Sequence, residues 1–298
     1  MKRLLFTMLL CLSLLGCTAK TEYAQVAATT LPVYEFTAAL CEGTPITVTR
    51  LITEEVSCLH DYSLNVRQVK AAEAADVIVI SGAGLEEFLD DLLLNKASID
   101  ASATITLMDS AEGHDHHHHE GDDAATGHEG HSHEKDPHIW LSVPNAMIMA
   151  QNICRGLAEQ YPEHASKMEA NLAMLLSRLE DLHACALKNL SSLSRRDLIT
   201  FHDGFGYLAH AYGLEIVRAV EEESGSEASA KDLIELIEEV EHHNLSAIFT
   251  ERSGSDSAAS IIARETGAHC YTLDMAMAGD SYFDAMYHNI YTLKEALQ

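Results

Sequence analysis

The sequence predicts an α/β protein of two lobes, each made of four strand–helix units around a largely parallel sheet, joined by one long rigid helix. Three observations carry this. Apolar β-branched runs alternate with helix-like patterns, and the alternation stops and restarts around residues 163–193. The run Val77-Ile78-Val79-Ile80 is apolar without alternation, as expected of a strand covered by helices on both faces. Between 163 and 193 apolar residues recur at helical spacing through Met168, Leu172, Leu175, Leu176, Leu179 and Leu182, with no interior Pro or Gly. That is a helix of roughly thirty residues, about 45 Å long at about 1.5 Å per residue. A length of 298 residues also exceeds the usual single core.

Taken in order, residues 1–16 read as an export signal. Lys2 and Arg3 form its positive start, and Leu4 to Leu15 an apolar stretch too short to span a membrane as a helix. Leu14-Leu15-Gly16-Cys17 resembles a bacterial lipobox, which implies cleavage before Cys17 and lipid on that residue, so residues 17–22 become an anchor and tether. The N-terminal lobe is expected over 23–162, the linker helix over 163–193 and the C-terminal lobe over 194–298. In the first lobe strands are predicted at 23–29, 46–52, 76–81 and 104–108, with helices at 33–41, 66–75, 85–95 and from about Pro144. In the second lobe strands are predicted at 197–201, 215–220, 245–250 and 269–273, with helices at 205–212, 230–242, 256–266 and 282–297.

Composition narrows the function. A formal charge of −27 and the lack of any basic stripe argue against nucleic-acid binding and suit a protein that handles cations. Of seven cysteines, Cys11 leaves with the signal and Cys17 carries lipid; Cys41, Cys58, Cys154, Cys185 and Cys270 remain. Five thiols leave at least one unpaired in a monomer, the pairing is open, and no C-x-x-C pair suggests a thiolate zinc site. Residues 111–136 hold His114, His116, His117, His118, His119, His128, His131 and His133 among Asp, Glu and Gly, with almost nothing apolar. Such a segment forms no core. It reads as a weak, multi-site cation trap, or as a solvated insert without a role.

Three other histidines stand apart. His60 follows the second predicted strand, His138 the fourth and His202 the fifth, while Asp274 ends the eighth. Ligands of open parallel sheets bind beyond the carboxyl ends of strands, so two residues from each lobe would face one cleft. Imidazole nitrogens with one carboxylate suit zinc, whereas manganese favours more oxygen. His210, His242, His243, His269 and His288 fall on helices, at helix ends or in a strand, and read as surface or packed side chains.

The pieces Leu59-His60-Asp61-Tyr62-Ser63-Leu64 with Val69-Lys70, Ala75-Asp76-Val77, Asp136-Pro137-His138-Ile139-Trp140-Leu141-Ser142, Phe201-His202-Asp203-Gly204-Phe205-Gly206-Tyr207 and Gly279-Asp280-Ser281-Tyr282 resemble the zinc and manganese substrate-binding proteins (cluster A-I) of ATP-binding-cassette importers. The resemblance covers nearly the whole mature chain, and the acidic histidine-rich insert before His138 is similar to that of the zinc branch. It implies two lobes on a backbone helix, one metal in the cleft, and delivery to a membrane permease. By motif the three histidine ligands fall on His60, His138 and His202, and the position of His202 is usually glutamate in the manganese branch. Asp274 matches a fourth ligand used by some members; others use water or a nearby acid, for which Glu251 at the end of the seventh strand is the substitute or supporting candidate. The chain departs at Val66 and Val143, where relatives often carry proline, and at Cys58, whose thiol near the cleft leaves another coordination open.

The expectation is therefore an extracytoplasmic, lipid-anchored, monomeric zinc receptor, with Zn2+ as transported ligand and Mn2+ as the lesser alternative. Two other classes compete. Three histidines and an open position could activate water in a zinc hydrolase or lyase, although no general base or oxyanion device accompanies them. A metal store could act through the histidine-rich segment alone.

Overall fold

The computed structural model describes residues 25–56, 59, 62–110, 135–221, 229–252 and 257–298. His60, Cys17, Cys58 and the eight histidines of the insert lie outside the described residues.

The first sheet runs in the order β2-β1-β3-β4, built from β1 (Gln25–Ala28), β2 (Thr47–Arg50), β3 (Val77–Ile80) and β4 (Ala97–Asp100), and every pairing is parallel. Around it lie α1 (Leu31–Cys41), α2 (Val66–Ala74) and the single turn α3 (Asp90–Leu93). Helix α4 (Val143–Gln160) follows, then α5 (Ala165–Leu190), whose 26 residues correspond to about 39 Å. The second sheet runs β6-β5-β7-β8, from β5 (Asp197–His202), β6 (Glu215–Glu221), β7 (Ala247–Glu251) and β8 (His269–Leu273), again all parallel. It carries α6 (Gly206–Tyr212), α7 (Ala230–His242), α8 (Ser257–Thr266) and α9 (Tyr282–Leu297).

Two expectations need correction. The fourth strand is Ala97–Asp100, not 104–108. It is the sheet edge, exposed except at Ile99, so it needs no apolar run; Ile105, Leu107 and Met108 pack on the core without joining a ladder. His138 accordingly follows not a fourth strand but a lone antiparallel bridge between Asp109 and Lys135. The helix expected over 85–95 is broken into a 3-10 turn, Glu87–Leu89, and α3. Upstream, Gly82, Ala83 and Gly84 all take positive φ, and the Glu86 carboxylate turns back to accept the N–H groups of Ser81 and Gly82, which commits Glu86 to the loop.

The helix starts at Val66 and Val143 need no proline at those positions. Asn65 caps α2 in a reciprocal box with Gln68, and Ser142 caps α4, where Pro144 occupies the first turn.

The lobes share one core. Helix α5 packs on α1 and α4 of the first lobe and on α6 and α9 of the second. Tyr282, at the start of α9, sits edge-on to Phe36 with centroids 5.1 Å apart, donates its backbone N–H to the Glu35 carboxylate at 2.6 Å and donates its hydroxyl to the Trp140 carbonyl at 2.8 Å. Arg50, at the end of β2, donates to the carbonyls of Met277 and Gly279. A second, smaller core lies on the other face of the second sheet, where Ile199 and Phe201 meet α7 and α8 through Leu236, Val240 and Ile262. Among the described cysteines, Cys41, Cys154 and Cys185 are free. No helix among the described residues is long and apolar enough to cross a membrane.

Candidate metal site

Three strand ends of the second sheet point at the lobe boundary. His202 ends β5, Glu251 ends β7 and Asp274 follows β8, and all three are buried. Alternation along β5 puts His202 on the face of Leu198, which belongs to the core shared by both lobes, and not on the outer face of Ile199 and Phe201. The turn after it depends on glycine. A Cβ on Gly204 would stand 2.5 Å from Met275 Cε and 2.7 Å from His202 Cδ2, so only a bare backbone passes over the imidazole.

His138 comes from the other lobe, just before the 3-10 turn Ile139–Leu141. Asp136 fixes it twice: its Oδ1 accepts the His138 backbone N–H at 2.9 Å and lies 2.8 Å from Nδ1. A carboxylate only accepts, so Nδ1 carries the proton and Nε2 presents its lone pair. That Nε2 stands 3.3 Å from Nε2 of His202, with the rings at 89° and their centroids 5.1 Å apart. Two nitrogens bound to one tetrahedral zinc at about 2.0–2.1 Å would be about 3.3–3.4 Å apart, so the pair has the spacing of two ligands of one ion.

Asp274 is held differently. Its backbone N–H and carbonyl pair with the side chain of the fully buried Asn289, both at 2.7 Å. Its Oδ1 accepts from the Ala276 N–H at 2.8 Å and its Oδ2 meets Arg252 Nε at 3.2 Å. Asp274, Glu251 and Arg252 line a small cleft together with Glu55 from the first lobe. Among the described residues no three His, Cys, Asp or Glu side chains converge on one ion, so the structure brings together His138 and His202 and places Asp274 and Glu251 in the neighbouring cleft. On the approach to position 60, Leu59 is buried and its carbonyl accepts the Tyr62 N–H at 3.1 Å, while the Tyr62 hydroxyl meets Glu54 and Gln68. Of the histidines read as packed or exposed, His288 contacts the Thr272 carbonyl and His243 pairs with Glu239 one helical turn away.

Sequence reasoning did not single out Asp136 as the partner of His138, nor Asn289 and Gly204 as supports. The spacing Asp-Pro-His was the available signal, because a carboxylate two residues before an imidazole can bond both its backbone and its ring.

Comparison with known proteins gives a consistent result. Residues 26–296 match the family model described as ZnuA, the periplasmic component A of a zinc-uptake complex. The zinc-binding protein AdcA of Streptococcus pyogenes is 29% identical over 288 residues, covering 91% of this chain and 55% of that protein. This chain thus spans about half the length of the AdcA relatives it matches. A putative metal-binding protein of Treponema pallidum is 31% identical over 240 residues, 78% of this chain and 74% of that one. The crystal structure of the Zn(II)-bound ZnuA-like domain of Streptococcus pneumoniae AdcA superposes with a TM-score of 0.75 at 27% identity, over 92% of this chain and 98% of that domain. With the family model matching nearly all of the described fold, the chain belongs to the ZnuA family of periplasmic zinc-uptake components.

Proposed function

We propose that this protein is an extracytoplasmic receptor that captures zinc between its lobes and delivers it to the membrane permease of an ATP-binding-cassette importer. The observation that carries the reading is the His138–His202 pair, one imidazole from each lobe, with Nε2 atoms 3.3 Å apart. His60 is proposed as the third ligand. The fourth position falls to Asp274, Glu251 or water. A carboxylate on the remote nitrogen raises the basicity of a metal-bound imidazole, which is the role of Asp136. Imidazole donors favour zinc over manganese, and a histidine at position 202 supports that choice.

The same reading takes residues 23–162 and 194–298 as the lobes, 163–193 as the connector, and a lipid on Cys17 as the tether of a monomer to the membrane. The histidine-rich insert serves as an auxiliary weak trap. A zinc hydrolase is set aside, since the family is one of uptake components.

The test is the metal content and affinity of protein lacking residues 112–134, measured by elemental analysis after mild chelation and by competition titration. One zinc per chain is expected. His138→Ala and His202→Ala should each weaken it at least about tenfold, as even outer partners of ligands contribute 10 to 100-fold. Parental affinity in both variants would sink the cleft model.

A further inference from the structure

Tyr207 lies in the first turn of α6, five residues beyond His202, and is almost fully buried. Its hydroxyl makes two bonds that cross the lobe boundary. It donates to the carbonyl of Asp136 at 3.0 Å and accepts the backbone N–H of Met108 at 2.9 Å. Burial pushes the phenol up to about 12, so it remains a donor at neutral pH. Those two partners are neighbours, since the Asp136 N–H donates to the Met108 carbonyl at 3.1 Å and the next residues pair as the Asp109–Lys135 bridge. The segments that flank residues 111–134 are therefore fastened to each other and, through one oxygen, to the second lobe. Gly206 completes the contact: a Cβ there would stand 3.0 Å from Asp136 Oδ2.

We propose that Tyr207 is a positioning residue of the metal site, fixing Asp136 from the opposite lobe and, through the Asp136 carboxylate, holding the His138 ring at the spacing from His202 that one ion requires. The inference rests on the function proposed above. The bonds within the first lobe fix His138 relative to Asp136, and the strand end fixes His202 within the second. The Tyr207 hydroxyl is a direct polar link between these two units, and it lies on the residue pair that holds the imidazole. The ring alone supplies packing, so removing only the oxygen separates positioning from burial.

Tyr207→Phe is the direct test, made both in the full chain and in protein lacking residues 112–134. The expected result is zinc affinity about tenfold or more weaker in both backgrounds, within the range for lost outer partners of a ligand. The visible ligand-field spectrum of the cobalt(II)-loaded protein should change too, a signature that a general loss of stability would not produce. Gly206→Ala, which presses on the same carboxylate and spares the hydroxyl, should weaken zinc in the same way and covers the case in which Tyr207→Phe folds poorly. Unchanged affinity and spectrum in folded Tyr207→Phe, with His202→Ala still weakened, would overturn the positioning role and leave the receptor reading standing. An effect seen only when residues 112–134 are present would also overturn it, because Tyr207 would then act through that segment. If His202→Ala binds zinc as the parent does, the receptor reading fails, and this inference with it.

Discussion

Trp140 donates its indole N–H to the carbonyl of Met275 at 2.7 Å, joining the residue two places after His138 to the residue one place after Asp274. The indole is fully buried and edge-on to the His138 ring, with centroids 5.4 Å apart. Trp140→Phe leaves the Met275 carbonyl without this donor, at a cost of about 1 to 3 kcal/mol for an unsatisfied buried group. A lower urea midpoint together with weaker zinc binding is the expected outcome. A variant that loses stability yet binds zinc like the parent would show that this link serves the fold alone. As the single tryptophan of the chain, Trp140 also offers a fluorescence signal placed beside the site.

Selectivity should follow His202. Replacing it with Glu substitutes a harder oxygen for imidazole and should move the preference from zinc toward manganese. Paired titrations with the two ions read this directly, and an unchanged ratio of affinities would remove His202 as the selector.

Glu86 sets a pH dependence of stability unrelated to the metal. Burial pushes its carboxyl from the usual 4.5 up to about 7, against the lowering effect of the Thr29 hydroxyl and the Ser81 and Gly82 N–H groups, while nearby Asp100 adds to the rise. Between about pH 4.5 and 7 the folded chain therefore holds a proton that the unfolded chain has lost. Stability from this group is fully present below the lower value and is lost as pH rises through the upper one, by about 3 kcal/mol in all at 1.36 kcal/mol per unit. Unfolding curves of parent and Glu86→Gln across that window should diverge in slope. Parallel curves would contradict the assignment.

Deleting residues 112–134 should leave one tight site and remove additional weak binding. Ordering a segment without a core costs roughly 1 to 2 kcal/mol per residue of backbone entropy, so sites assembled there bind weakly beside prepositioned ligands. Many such sites in one place still raise the chance of recapture. Zinc titration of intact and deleted protein decides it. Loss of the tight site would move the function into the insert, and unchanged total stoichiometry would leave the insert without a metal role.

Legibility followed the strength of local signals. Helices α7 and α9 and strand β8 begin and end where periodicity places them, because Ser229 and Ser281 cap the helices and β8 is bounded by Gly267 and the Asp274 turn. Strand β4 is illegible for the opposite reason. An edge strand with one buried residue carries no apolar pattern, and the Ile105–Met108 stretch carries one without being a strand. In the site, His138 and His202 stand out by position along the chain. Asp136, Tyr207 and Asn289 do not, since their contributions depend on which atoms a buried rotamer reaches, and in the cases of Tyr207 and Asn289 on partners 71 and 15 residues away.

The placement of α9 bears on the order in which the molecule can be completed. A chain made from its amino end has produced all four strands of the first sheet long before Tyr282 exists. Yet Phe36, Glu35 and the Trp140 carbonyl find their partners in that residue. Until the last helix arrives, the early lobe keeps an open apolar face and unmet polar groups. A nascent chain still lacking α9 is thereby held short of the closed two-lobe packing.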